Sequence, residues 1–492
     1  MWTKENLQQL IKEQMSDYLF IVVSNRQPYV HVFKKGKIEC QRGAGGVITA
    51  LDPVMQACDG IWIAYGNGDA DRKVTDSQGR IRVSPENPKY TLKRVWLTKE
   101  EENGYYYGYS NEALWPLCHA VFQRPIFRKE DWEYYVKVNQ KFAEAVFEEI
   151  GSRRAFVFIQ DYHLTLLPKF LKEMAGSGVI IAHFWHIPWP NYEAFRVCPQ
   201  RHQILEGLLS NDLLGFHIRY HCDNFLDVVD REIESKINRD KFSVIRQGHE
   251  TLIRPYPISV DFESTDEISN SDKVREAMEN LKQEYSLAGF KVLLGLDRLD
   301  YTKGIPERLL AIDFLLERHP ELKEKIVFIQ MGELSRLHIP RYKALNDEIN
   351  ALVEQINWRH STDSWKPIIL VRRHLSFYEL IAFYRLGEVC IVSSLHDGMN
   401  LVAKEFLSSR SDERGMLVLS QFTGAARELT DAVLVNPYDR EQFSEGIFQA
   451  LHFSEEETKK RISKMRSIVQ QNNIFRWAGK ILSELLKFEF KE

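Results

Sequence analysis

Short apolar runs alternate with stretches of helical periodicity along nearly the whole chain, and this alternation constrains the fold more than any other feature. A strand that rejoins its sheet through a helix lies parallel to its neighbour, so the pattern predicts α/β architecture with parallel sheets built from βαβ units. Strands are expected at 19–24, 61–65, 90–97, 155–160, 179–186, 212–217 and 251–256, and again at 291–297, 325–331, 368–371, 389–393 and 416–420. Between the two sets, Pro255, Pro257 and the polar stretch 261–273 (DFESTDEISNSDK) mark a boundary. Helical periodicity returns at 442–451, 455–470 and 474–487, so the chain ends in helices, and no short repeat or low-complexity tract interrupts it. At 492 residues the chain is too long for one ordinary core. The expectation is two doubly wound, Rossmann-like domains facing each other across a cleft: residues 1–257 joined by 472–492, and residues 258–471.

Composition removes several classes of function. With 65 basic and 69 acidic residues well mixed along the sequence, the net charge is −4, so neither nucleic acid nor an anionic membrane is an expected partner. No apolar run approaches the roughly 20 residues of a membrane span, and MWTKENLQQLIKEQ reads as a charged amphipathic helix rather than a secretory signal. Cys40, Cys58, Cys118, Cys198, Cys222 and Cys390 form no CxxC pair and read as reduced thiols of a cytoplasmic protein. Small-molecule substrates remain, and a homo-oligomer is compatible with this sequence.

The ten residues 396–405, HDGMNLVAKE, follow a strand-like run and open a helix. Gly398 is suited to the positive φ of a sharp reversal. The amides of Asn400, Leu401 and Val402 then lie in a first helical turn, where they lack intrahelical partners and face the positive end of the helix dipole, a site for phosphate. Asp397 and Glu405 would repel a bare phosphate, so if they line the same pocket they face hydroxyls, and the ligand is part phosphate and part sugar. Alone, the segment reads equally well as an ordinary turn and an amphipathic helix with solvated acids. Residues 293–308, LLGLDRLDYTKGIPER, add a loop beyond a strand that carries Arg298 and Lys303. A guanidinium fork and a mobile ammonium five residues apart suit a diphosphate, and open α/β sheets bind ligands beyond the carboxyl ends of their strands.

The first half offers complementary groups. Asp161 and His163 follow the run AFVFIQ, and His186 follows VIIAHFW and precedes the rigid IPWP. Arg26 follows FIVVSN, and the loop beyond it ends in GAGG at 43–46, which is not a dinucleotide fingerprint because GxGxxG is absent. Trp115 with Tyr105, Tyr106, Tyr107 and Tyr109 forms an aromatic segment suited to stacking on sugars or to packing. Asp69 and Asp71 (DAD) superficially resemble a metal-binding DxD pair but read as a solvated loop.

From Phe20 to about Gln470 the chain resembles the retaining trehalose-6-phosphate synthases, a glycosyltransferase family with the two-domain GT-B fold. The resemblance rests on SNR at 24–26, AGG at 44–46, WP at 115–116, DYHL at 161–164, HIPWP at 186–190, DRLDYTKG at 297–304, SR at 335–336, DGMNLVAKE at 397–405 and VNPYD at 435–439. It implies C-terminal helices that cross back to the N-terminal domain, and UDP-glucose as co-substrate with no further cofactor and no metal. The donor diphosphate would be held by Arg298 and Lys303 with backbone at Gly46, and the rest of the nucleotide by Leu375, Leu401, Val402 and Glu405. The transferred glucose would meet His186 and Asp397. Glucose 6-phosphate would be held by Asp161 through its hydroxyls and by Arg26, Tyr106 and Arg336 through its phosphate, with Trp115 alongside. Transfer with retention by front-face attack follows, with Asp161, His186, Arg298, Lys303 and Asp397 forming the catalytic set.

The chain departs from the family pattern at Gln160, where a histidine is usual, and at His396, where an arginine is usual. The loop 27–42, with Tyr29 and His31 near the expected acceptor site, is longer than in the family's shortest forms. A glucosylglycerol-phosphate synthase, which accepts glycerol 3-phosphate, shares much of the pattern, and a catalytically silent sugar-phosphate sensor is the alternative outside enzymes.

Overall fold

Two large sheets gather most of the strands, one in each of two compact units: the first runs to Ile258 and resumes at Ile474, and the second is Ser259–Asn473. A computed structural model of the chain describes residues 2–15, 17–43, 46–83, 88–332, 336 and 338–490. Ala44 and Gly45 of the AGG segment and Ser335 of the SR segment lie outside these residues.

The first unit carries ten strands in the order Lys236–Asn238, Ser243–Arg246, His249–Pro255, Leu213–Phe216, Val179–Phe184, Ala155–Gln160, Leu19–Ser24, Ile61–Tyr65, Tyr90–Val95 and Arg80–Val83. The seven from His249–Pro255 to Tyr90–Val95 pair in parallel, and antiparallel strands close both edges. At the centre, every residue of Ala155–Gln160 and Val179–Phe184 is buried, which is why these sequences are apolar but for Gln160 and His183. The edge strands escape sequence reading because charged residues such as Arg80 and Arg82 occupy their exposed positions.

The segment 27–42 is a β-hairpin rather than a loop. Tyr29–Lys34 pairs antiparallel with Lys37–Arg42 around Lys35 and Gly36, whose φ values of 48° and 77° make a turn with two positive dihedrals. Its Tyr29 and His31 are buried, the former bonded to the Asp52 carboxylate. Asp71 is fully buried, not solvated: it accepts from the amide of His31 at 2.8 Å and from Gln27 at 2.6 Å and pairs with Arg94 at 3.0 Å. Burying a carboxylate is tolerable only with such compensation.

The second unit holds six parallel strands in the order Ile368–Val371, Ile326–Met331, Lys291–Leu296, Gly387–Val392, Met416–Ser420 and Val433–Val435. The division falls at Ile258 and Ser259, beside the expected boundary, and the polar stretch 261–273 is itself helical. Asp261 caps the helix Phe262–Ser269 and Ser271 caps Asp272–Glu284, so residues that favour loops here start helices. The last helix, Ile474–Leu485, returns to the first unit and packs on Lys4–Gln14 and Gly46–Cys58. Its Trp477 lies 5.7 Å from the ring of Phe158 and 5.1 Å from that of Phe184, beneath the two central strands. Among the described residues no helix is long and apolar enough to cross a membrane.

Candidate active site

In the second unit the strand Lys291–Leu296 delivers Asp297 and Arg298 to its carboxyl end. Asp300 then accepts from the amide and hydroxyl of Thr302 at 3.0 and 2.9 Å, capping a 3₁₀ turn over Tyr301–Lys303. Gly304 ends that turn at φ 62°, where a Cβ would strike the Ser393 carbonyl oxygen. This fixes where Lys303 leaves the backbone. Its Nζ lies 2.6 Å from Oδ2 of Asp397, and the same oxygen accepts from Ser394 Oγ and Asn400 Nδ2, each at 3.2 Å. Burial works against the ammonium, but the carboxylates of Asp397 and Asp297 outweigh it and raise the pKa of Lys303, so the lysine stays charged.

The reversal before the helix Leu401–Ser409 differs from expectation. The positive φ immediately before the helix belongs to Asn400, at φ 91° and ψ 100°, whereas sequence reading assigned that role to Gly398. Asparagine tolerates such dihedrals, and its side chain accepts from the amide of Ala403 at 3.1 Å as the N-cap. The amides of Leu401 and Val402 belong to the first turn, where no preceding carbonyl is in register to receive them. One turn on, Glu405 accepts from the Tyr384 hydroxyl at 2.8 Å, and burial pushes its carboxyl up to about 7 against that hydrogen bond.

Behind these groups lies a network that sequence reading missed. Arg308 is fully buried and donates to Asp297 at 2.5 Å, Ser393 at 3.0 Å and Gln330 at 3.0 Å, so one guanidinium ties three strand ends together. Within a helical sequence Arg308 is indistinguishable from a solvated cation, because its partners lie up to 85 residues away. Arg298 is half-buried and close enough to stabilise the Asp300 carboxylate. Arg336 also belongs to this unit: it donates to the Tyr342 hydroxyl at 2.8 Å and lies 3.6 Å from Asp300. Leu375 is half-buried in the loop before Ser376, which caps Phe377–Leu386.

In the first unit, the Ser24 hydroxyl accepts from Trp62 Nε1 and donates to the carbonyl of Arg26, both at 2.7 Å, fixing the turn that aims Arg26. The guanidinium reaches the Tyr106 hydroxyl at 3.4 Å. Tyr106 lies in the π-helical segment Glu102–Leu114, a geometry frequent at functional sites. The aromatic cluster divides: Tyr105 and Tyr109 are core residues, Trp115 is 6% exposed against Tyr162, and Tyr106 stacks on His163 at 5.7 Å. Gly46 is the first residue of the helix Gly46–Cys58.

Asp161 sits just past Gln160 with φ 72° and ψ 174°, a strained conformation for a residue with a Cβ. Its Oδ1 accepts the amides of Tyr162 at 3.0 Å and His186 at 3.2 Å, drawing two strand ends together. The strand before His186 ends at Phe184, two residues earlier than expected, so Trp185 and His186 belong to the loop. The His186 ring lies 2.8 Å through Nε2 from Gln160 Oε1, and desolvation, helped by His217, His183 and His163, lowers its pKa well below the ordinary histidine value. The ring is neutral near pH 7. Its centroid lies 6.4 Å from that of Trp477.

Away from these groups, Asp313, Glu317 and His360 have the composition of a metal site. The Arg359 guanidinium already pairs there with Asp313 at 2.6 Å and Glu317 at 2.7 Å, so a cation of the chain itself supplies the compensating charge.

Doubly wound units with a lysine–carboxylate pair, a helix N-terminus and a buried carboxyl beyond the strand ends have the architecture of ligand-binding α/β proteins. The family model Glycosyltransferase family 20 matches residues 18–487. The trehalose-6-phosphate synthase of Mycobacterium ulcerans is 37% identical over 485 residues, an alignment spanning 96% of this chain and 95% of the relative. An E. coli protein of the trehalose-6-phosphate type, solved bound with UDP-2-fluoro glucose, superposes with a TM-score of 0.85 at 29% identity, over 96% of this chain and all of the other. A UDP-forming alpha,alpha-trehalose-phosphate synthase from Burkholderia xenovorans, in complex with glucose-6-phosphate, gives 0.84 at 28% identity, over 95% and 99%. The chain belongs to glycosyltransferase family 20: it is a glycosyltransferase with the GT-B fold.

Proposed function

We propose that this enzyme transfers glucose from UDP-glucose to glucose 6-phosphate with retention, releasing UDP and trehalose 6-phosphate. The observation that carries the reading is the Lys303–Asp397 pair beside the first turn of Leu401–Ser409: an ordered cation, a hydroxyl acceptor and two helix amides within one strand-end cluster. The second unit is the donor side. Arg298 and Lys303 hold the diphosphate with the backbone of Gly46, the amides of Leu401 and Val402 with Leu375 hold the rest of the nucleotide, and Glu405 takes the ribose hydroxyls. Asp397 keeps Lys303 ordered, while its remaining lone pairs and His186 accept hydroxyls of the glucose. On the acceptor side, Arg26, Tyr106 and Arg336 bind the phosphate, Asp161 binds hydroxyls, and Trp115 backs the sugar.

The acceptor hydroxyl attacks C1 from the face that the diphosphate leaves. The C1–O bond to phosphate breaks with its electron pair passing to UDP, the new C1–O bond forms, and a phosphate oxygen takes the hydroxyl proton. Arg298, Lys303 and the helix amides stabilise the growing negative charge, and groups preorganised in this way are worth about 3 kcal/mol of barrier each.

Purified protein given UDP-glucose and glucose 6-phosphate should release UDP and form a disaccharide phosphate. Turnover only with glycerol 3-phosphate would reassign the acceptor, turnover only with another nucleotide-glucose would reassign the donor, and binding without turnover would make the chain a sensor.

A further inference from the structure

We propose that Gln160 is a positioning residue that fixes the tautomer of His186, so that Nδ1 is the lone pair this histidine offers to a sugar hydroxyl. The inference rests on the role given to His186 above, and deepens it. Three polar groups of His186 are already committed. Its amide donates to Asp161 Oδ1, its carbonyl oxygen lies 3.0 Å from His217 Nε2, and its ring Nε2 lies 2.8 Å from Gln160 Oε1. With the Gln160 amide placing Oε1 toward the ring, an oxygen that only accepts, Nε2 carries the hydrogen. A neutral imidazole has a single N–H, and which nitrogen bears it is set by the bond that nitrogen makes. Nδ1 is then an acceptor, with no partner among the described residues, on a side chain that is only half-buried.

The side chain of Gln160 is costly for a purely structural role. It is 1% exposed, and its Nε2 has no hydrogen-bond partner among the described residues. A buried donor left unpaired costs about 1–3 kcal/mol, a cost that methionine of similar size would avoid. Glutamine also does what a carboxylate could not. It takes the Nε2 hydrogen without adding a charge that would draw a second proton onto Nδ1 and convert the acceptor to a donor. The groups around the ring already favour the neutral form: His163, His183 and His217 oppose a further positive charge, and the Asp161 carboxylate is turned to the amides of Tyr162 and His186.

Histidine-selective ¹⁵N labelling of the full-length protein reads the tautomer directly, and His186 should show a protonated Nε2 and an unprotonated Nδ1. In Gln160→Met the preference should disappear, and kcat/KM for the nucleotide sugar should fall about tenfold, the size of one hydrogen bond, with the acceptor KM unchanged. Gln160→Glu should keep the Nε2 hydrogen and near-normal turnover in alkaline buffer, with the acid limb of the pH profile moved to higher pH. A wild-type His186 protonated at Nδ1 would overturn the inference, as would a folded Gln160→Met with unaltered tautomer and donor kinetics. If Gln160→Met does not fold, the wild-type tautomer and the acid limb of Gln160→Glu decide. Failure of UDP-glucose turnover with the Nε2–H tautomer in place would instead count against the proposed function.

Discussion

A carboxyl that titrates near neutrality makes ligand binding pH-dependent, and Glu405, pushed up to about 7 by burial, is such a group. An unfolded glutamate ionises near 4.5, so Glu405 supports the fold most below that value, and its contribution falls away as pH rises through 7. In the proposed ribose contact the ionised carboxylate is the stronger acceptor. UDP binding measured by calorimetry should therefore strengthen roughly tenfold from pH 6 to pH 8 relative to Glu405→Gln, which removes the titration while leaving that of the nucleotide. Arg298→Ala should lower turnover with every acceptor. Arg336→Ala should raise the KM of glucose 6-phosphate more than that of UDP-glucose, with a smaller donor effect because Arg336 also braces Asp300, and initial-rate kinetics with both substrates separates the two. Lys303 and Asp397, each a few residues past an apolar run, could be singled out in the sequence, and the fold brings the two together. The roles of Gln160, Arg308 and Asp300 could not, because a buried hydrogen-bonding role depends on partners that only the fold brings together.

At the level of elements, the turn between the strand Lys291–Leu296 and the helix Ile305–Arg318 determines where Lys303 leaves the backbone. Gly304→Ala would place a Cβ against the Ser393 carbonyl oxygen at a positive φ, two penalties that together should cost about 2 kcal/mol or more. Thermal unfolding should show the loss, and turnover should fall further than stability, since the displaced residue next door is Lys303. Central strands were legible because burial on both faces leaves an unbroken apolar run. The hairpin of residues 29–42, the edge strands and the two helices capped by Asp261 and Ser271 were not. Each has polar residues serving geometry, as caps, turn formers or exposed edge positions, and such residues read as loop when burial is unknown.

For the whole molecule, the path of the chain brings its last helix back beneath the first unit's central strands and the His186 ring. The helix Ile474–Leu485 belongs to the first unit, and its Trp477 supports Phe158, Phe184 and the His186 ring. Trp477→Ala should destabilise that unit by about 3–5 kcal/mol, measured by denaturant unfolding, and should lower kcat/KM for the donor through His186. Two α/β units were legible from the alternation of strands and helices, whereas the return of the last helix was implied by family resemblance and by nothing in its own periodicity. The central claim is that cations at the strand ends of the second unit stabilise the departing diphosphate. Single-turnover kinetics of Lys303→Met with UDP-glucose and glucose 6-phosphate tests it most directly. The predicted result is a chemical step slowed by about 10²–10³ with the fold intact. A rate equal to that of the unmodified enzyme would contradict it.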